Sequence, residues 1–92
     1  MNKFNIIFTT AFKRDYKLLK KRGYNLNLLQ DVVSILANGE KLPEKYRAHP
    51  LSGDFKGCRE CHILPDWLLI YEICENELML YLTRTGTHSD LF

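Results

Sequence analysis

Three histidines, His49, His62 and His88, stand in this chain beside structure-breaking or polar neighbours: His49-Pro50, His62 ahead of Pro65-Asp66, and Thr87-His88-Ser89. None falls on an apolar helical stripe. Imidazole exchanges protons near neutral pH, so histidines gathered around a carboxylate and a guanidinium would make an acid–base site. Strand alternation puts His62 on one face with Glu60 and Cys58, and a tight turn returns Asp66 to the same edge. Arg84 ends the last strand in this reading, and His88 follows four residues later. Such a set suits metal-free RNA cleavage: a base deprotonates a 2′-hydroxyl, an acid protonates the leaving oxygen, and arginine stabilises the phosphorane. An exposed aromatic such as Phe92 would stack on an unpaired base.

The same residues have plainer readings. A lone histidine is more often a hydrogen-bonded surface residue than a catalyst. Trp67 belongs in a core more often than on a stacking platform. Arg84 could pair with Asp66 or Glu60, and a terminal Phe92 could tuck into the core.

The elements that must position these groups follow from periodicity. Phe4 to Phe8 is rich in β-formers. Thr9 or Thr10 then caps a helix in which Phe12, Tyr16 and Leu19 share a face until Gly23 ends it, with Lys13, Arg14, Lys17, Lys20 and Lys21 opposite. Asn25 caps a second helix whose buried stripe is Leu29, Val32, Val33 and Leu36, ending at Asn38-Gly39, so the two helices make a hairpin. Residues 40–57, punctuated by Pro43, Pro50, Gly53 and Gly57, read as a long surface connection that carries His49. Three strands near 58–64, 67–74 and 77–84, joined at Pro65-Asp66 and Glu75-Asn76, form an antiparallel meander. The expected class is α+β in a single domain, residues 1–92: an N-terminal strand joining the meander's sheet, and helices on one face leaving the other partly free.

Ninety-two residues with 46% hydrophobic content close one modest core and exclude a second domain. The start of the chain fits neither a signal peptide nor a membrane span, so no membrane is expected and the cytoplasm is. Net charge is +2, but residues 1–22 hold seven Lys/Arg against one Asp. That basic third could face phosphate or an acidic partner, or could be a solvated helix face. Cys58-Arg-Glu-Cys61-His62 spells the haem-attachment pattern. Haem is rejected because strand alternation separates the two thiols and no export signal is seen. A four-ligand zinc site lacks a second pair at matching spacing. No cofactor or metal is expected, and the three cysteines read as reduced, small hydrophobes.

Ala48-His49-Pro50-Leu51-Ser-Gly, Arg59-Glu-Cys-His62-Ile-Leu-Pro65-Asp66-Trp67-Leu-Leu-Ile-Tyr71 and Arg84-Thr-Gly-Thr-His88-Ser-Asp-Leu-Phe92, taken in order, resemble the YafQ branch of RelE-type toxins across essentially the whole chain. The resemblance implies a RelE-like α+β fold and a bacterial toxin–antitoxin component. It implies cutting of messenger RNA in the A site of the 70S ribosome, with a 2′,3′-cyclic phosphate left behind. It implies no cofactor, and a cognate, DinJ-like antitoxin held in a hetero-oligomer. The catalytic positions it carries over are His49, His62, Asp66, Arg84 and His88, with Phe92 as an aromatic contact; Trp67 and Lys56 join Phe92 as candidate substrate contacts. On this basis His88 is the expected general acid, Asp66 and His49 are candidate bases, Arg84 stabilises charge, and His62 contacts RNA. Two rivals stay open: a ParE-like gyrase poison on the same scaffold, and a non-catalytic RNA-binding module. Because Phe92 ends the sequence, the edge of the site is expected to be frayed.

Overall fold

The computed structural model describes residues 2–92. Its elements run β1 (Asn5–Phe8), α1 (Thr10–Lys21), α2 (Leu26–Ala37), β2 (His49–Pro50), β3 (Arg59–Leu64), β4 (Trp67–Cys74), β5 (Met79–Gly86) and α3 (His88–Leu91). One five-stranded sheet has the order β1-β5-β4-β3-β2, with β1 parallel to β5 and every other pair antiparallel. The meander and the joining of the first strand to its sheet are as expected.

Local chemistry explains the helices. Thr9 Oγ1 accepts from the Phe12 amide at 3.2 Å and donates to the Leu82 carbonyl at 2.8 Å. One hydroxyl thus caps α1 and ties its start to β5. Gly23, at φ 81°, supplies the left-handed residue that ends α1. The Asn25 side chain accepts from the Asn27 amide and caps α2.

The sheet has two unequal faces. On the inner face Cys61, Trp67, Leu69, Tyr71, Leu80 and Leu82 pack with Phe12 and Leu19 of α1 and Leu29 and Val32 of α2. On the outer face a smaller cluster, Leu68 and Ile70 with Leu91 of α3, is flanked by Leu51, Phe55 and Cys58. The strand before His62 therefore divides its thiols as alternation predicts: Cys61 inside, Cys58 outside. Burial pushes the Cys61 thiol up to about 12, which leaves it an inert core residue.

Three expectations need correction. Residues 40–57 are not a plain connection: they hold two 3-10 turns and the two-residue strand β2, paired with β3. So short a strand has no periodicity to read, and Pro50, lacking an amide hydrogen, is confined to an edge. The last strand runs on to Gly86, so Arg84 lies inside it. Residues 88–91 then form a helix where a loose end was expected. Among the described residues no helix is long and apolar enough to cross a membrane.

Candidate active site

Each histidine reaches the outer face from a different element. The β2–β3 register sets His49 opposite Glu60, and the β3–β4–β5 registers lay Glu60, Ile70 and Arg84 in one row and His62, Leu68 and Gly86 in the next. His88 opens α3 just beyond Gly86. Successive ring centroids stand 6.2 Å apart from His49 to His62 and 6.1 Å from His62 to His88. The row continues to Phe92 at 6.3 Å, whose ring meets Phe55 edge-on at 5.7 Å. Phe92 is 64% exposed, so its face is open to a stacking ligand.

Two carboxylates serve the three imidazoles. Asp66 Oδ1 accepts from the His88 amide at 3.1 Å and from its Nδ1 at the same distance. Those two bonds from His88, the backbone one foremost, hold the Asp66 carboxyl below its ordinary value. A carboxylate so stabilised is a weak base, and its evident effect is to fix the His88 ring with Nε2 outward. The other carboxylate is Glu60, only 5% exposed, with Oε2 at 3.1 Å from His49 Nε2 and 3.8 Å from His62 Nε2. Its Oε1 is buried without a hydrogen-bond partner. Sequence reasoning placed Glu60 on the face of His62 and gave it no role beyond a possible pairing with Arg84, which Asp15 takes instead. Its signal was the alternation Cys58, Glu60, His62, in which a carboxylate sits where an outward apolar residue would be ordinary.

Arg84 is held by neither Asp66 nor Glu60. Its Nε and Nη2 donate to Asp15 of α1 at 2.7 and 3.1 Å, and the Asp15 hydrogen bond raises the guanidinium further above its ordinary value. The Nη1 edge is left for another acceptor. The Thr85 amide also donates to Asp15, at 3.1 Å, so one carboxylate steadies both Arg84 and the strand that carries it.

A second ion pair steadies His88. Thr87 and Asp90 form a capping box at the start of α3, and Arg22, just past α1, donates to both oxygens of Asp90 at 2.8 and 3.2 Å. The pattern Thr-x-x-Asp was the available signal for α3. Arg22 and the Thr87 amide pull the Asp90 carboxyl from 3.8 down to about 2. A carboxyl depressed on folding stabilises the fold above its unfolded value and loses that effect as pH falls through its folded one. The hold on α3 should therefore weaken between pH about 4 and about 2. Asp90→Asn should remove this acid limb from a denaturation profile; an unchanged profile would show that the clamp contributes nothing.

Of the expected substrate contacts, Lys56 is exposed beside Phe55 and Phe92 lies in the ring row. Trp67 is a correction. It is 1% exposed, edge-on to Tyr24 at 5.0 Å, and its Nε1 donates to Thr85 Oγ1 at 3.0 Å, so it faces the inner core and reaches no ligand. The absence of a metal set was argued from cysteine and histidine spacing along the chain. In space His49, Glu60 and His62 come together with ligand atoms within 4.8 Å of one another.

A family model described as bacterial toxin of type II toxin–antitoxin system, YafQ, matches residues 4–92. A curated relative from Escherichia coli K12, the mRNA interferase toxin YafQ, is 39% identical over 89 residues, which is 96% of this chain and 95% of that protein. The crystal structure of the E. coli DinJ–YafQ complex shares a TM-score of 0.88 at 39% identity, covering 97% of this chain and 98% of that one. A metal-bound toxin from Helicobacter pylori shares a TM-score of 0.90 at 46% identity, covering 97% and 99%.

Proposed function

The chain belongs to the YafQ family of type II toxin–antitoxin toxins, and from that premise we propose that it is an endoribonuclease that cuts messenger RNA in the ribosomal A site and so arrests translation. The observation that carries the reading is the row of three imidazoles on one open sheet face, two of them braced by carboxylates, ending on an exposed phenyl ring.

His49 is the base. Its Nδ1 donates to the Arg47 carbonyl at 2.9 Å, so Nε2 carries the lone pair that takes the 2′-hydroxyl proton, and Glu60 Oε2 stabilises the imidazolium that forms. Of the two candidates, Asp66 is the weaker because His88 already occupies it. The freed 2′-oxygen attacks the adjacent phosphorus, the P–O5′ bond breaks, and a 2′,3′-cyclic phosphate remains. His88, protonated and held through Nδ1 by Asp66, delivers the Nε2 proton to the leaving 5′-oxygen. Arg84, anchored edge-on by Asp15, keeps its Nη1 edge for the equatorial oxygens of the transition state. His62, between the other two rings, contacts the phosphate, and Phe92 stacks on a neighbouring base.

The exposed basic face of α1, Lys13, Arg14, Lys17, Lys20 and Lys21, is suited to ribosomal RNA. A DinJ-like cognate antitoxin restrains the toxin in the cytoplasm, as a DinJ partner is bound in the E. coli complex.

Primer extension on messages in a translating extract tests the reading. The expected result is cuts within codons that need the ribosome, leave cyclic phosphate ends, and weaken as salt is raised. DNA damage with intact messages would replace this reading with gyrase poisoning, and binding to RNA without cuts would reduce the chain to a binding module.

A further inference from the structure

Residues 1–22 hold seven Lys/Arg and a single acid, Asp15. On a helix suited to an RNA surface a carboxylate is out of place, and Asp15 is turned inward, with 12% of its side chain exposed. What it meets is the edge of β5. β1 stops at Phe8, opposite Leu82, whereas β5 continues to Gly86, so the end of β5 has no strand on that side. α1 and its cap supply partners instead. Thr9 Oγ1 lies 2.8 and 3.1 Å from the Leu82 and Thr83 carbonyls, and Asp15 accepts from the Thr85 amide at 3.1 Å.

Asp15 also accepts from Nε and Nη2 of Arg84, at 2.7 and 3.1 Å. Two bonds to one carboxylate fix the plane of the guanidinium and use two of its five N–H donors. Released, Arg84 would have another acid within reach. Glu60 lies in its row, two strands and about 10 Å away, and the buried Oε1 of Glu60 has no partner. That pairing would withdraw the charge meant for the phosphate and the carboxylate that serves His49.

We infer that Asp15 is a positioning residue for cleavage: it sets the Arg84 guanidinium in place before RNA arrives and keeps it from Glu60. The kinetic consequence rests on the ribonuclease reading, whereas the clamp does not. A charge already in position needs no rearrangement as the phosphorane forms, so its effect falls on the chemical step rather than on binding. The same helix grips the other side of the site. Arg22, two turns and about 10 Å further along, holds Asp90, whose capping box starts the helix of His88. α1 thus sets where charge stabiliser and general acid stand relative to each other.

Single-turnover cleavage on message-programmed ribosomes, across a range of toxin concentrations, separates rate from binding. Asp15→Ala should lower the saturating rate about 10–100-fold and leave the half-saturating concentration unchanged. Asp15→Asn, which keeps one acceptor oxygen, should fall between it and the parent; being of the same size, it also carries the comparison if the alanine variant fails to fold. The double variant Asp15→Ala, Arg84→Ala should be no slower than Arg84→Ala alone, because Asp15 acts only through Arg84. Losses that multiply, a change confined to half-saturation, or a loss that tracks the unfolded fraction would each overturn the inference. Without RNA, the Arg84 Nε–H resonance, identified by its absence in Arg84→Lys, should be protected from solvent exchange in the parent and lost in Asp15→Ala. An unchanged resonance would overturn the clamp. A parent that shows the protected resonance but never cuts would sink the ribonuclease reading and leave the clamp standing.

Discussion

His88→Ala should lower message cleavage by a factor of about 10²–10⁴ and leave the melting temperature where it was. The first half follows from position: His88 opens α3, its Nδ1 is fixed by Asp66 at 3.1 Å, and its ring is more than half exposed beside Phe92. Nothing else in the row combines a locked tautomer with an outward Nε2 beside the stacking ring. The second half follows from energetics, since exposed hydrogen-bonded pairs contribute at most about 1 kcal/mol. The helix it starts does not depend on its side chain either: Thr87 and Asp90 cap it and Leu91 buries its one apolar anchor. Asp66→Asn should show a smaller loss, because an amide still accepts from Nδ1 but no longer favours the imidazolium. Cleavage by His88→Ala at the parental rate would remove the general acid from the scheme and shift attention to His62.

Trp67→Ala should have the opposite signature. Its indole is fully buried between Tyr24 and the sheet, and its Nε1 donates to Thr85 Oγ1, which itself donates to the Leu68 carbonyl at 2.8 Å. Truncation leaves a large cavity and costs about 3–5 kcal/mol. Against a total stability of about 5–15 kcal/mol for a domain this size, that lowers the melting temperature by more than about 10 °C. Any loss of cleavage should follow the unfolded fraction, with intact activity per folded molecule at low temperature. A Trp67→Ala protein that melts like the parent but no longer holds RNA would return the tryptophan to the substrate face.

These two residues also mark where sequence reasoning succeeded and where it stopped. The helix caps at Thr9 and Asn25, the stop at Gly23 and the meander were legible because local hydrogen bonding and periodicity determine them. The three histidines, Asp66 and Phe92 are legible as candidates from residue type and neighbours, and the fold brings the four rings into one row with Asp66 bonded to His88. Trp67 was misplaced among the substrate contacts because it adjoins Asp66, yet one step along a strand turns a side chain to the other face. Asp15 and Arg22 could not be matched to Arg84 and Asp90, because pairs separated by 69 and 68 residues depend on how α1 lies against β5. Glu60 was read only as a neighbour of His62 and a possible partner of Arg84 for a related reason: what sets it apart is an unpartnered oxygen and two imidazoles on a single carboxylate, and both are tertiary facts. Nor could two-residue β2 announce itself, so the strand pairing that delivers His49 to Glu60 was invisible.

One irregularity in β5 has a larger reach than its size. Leu82 lies opposite Tyr71 and Arg84 opposite Ile70, so Thr83 has no partner on β4. That supernumerary residue acts on the strand as a frameshift acts on a message: everything upstream keeps its meaning and everything downstream changes sides. Leu80 and Leu82 look inward, and so does Thr85, three positions on rather than two or four. Drawing Thr83 into the ladder would restore even alternation along the unshortened strand, aim Arg84 into the core and turn the Trp67 hydrogen-bond acceptor away from the indole. The spare residue thus binds reactive tail and structural core to a common phase. Between Leu82 and Thr85 the ladder counts two steps and the chain counts three, and while the surplus residue stays outside the ladder Arg84 and the acceptor of Trp67 keep to their separate faces.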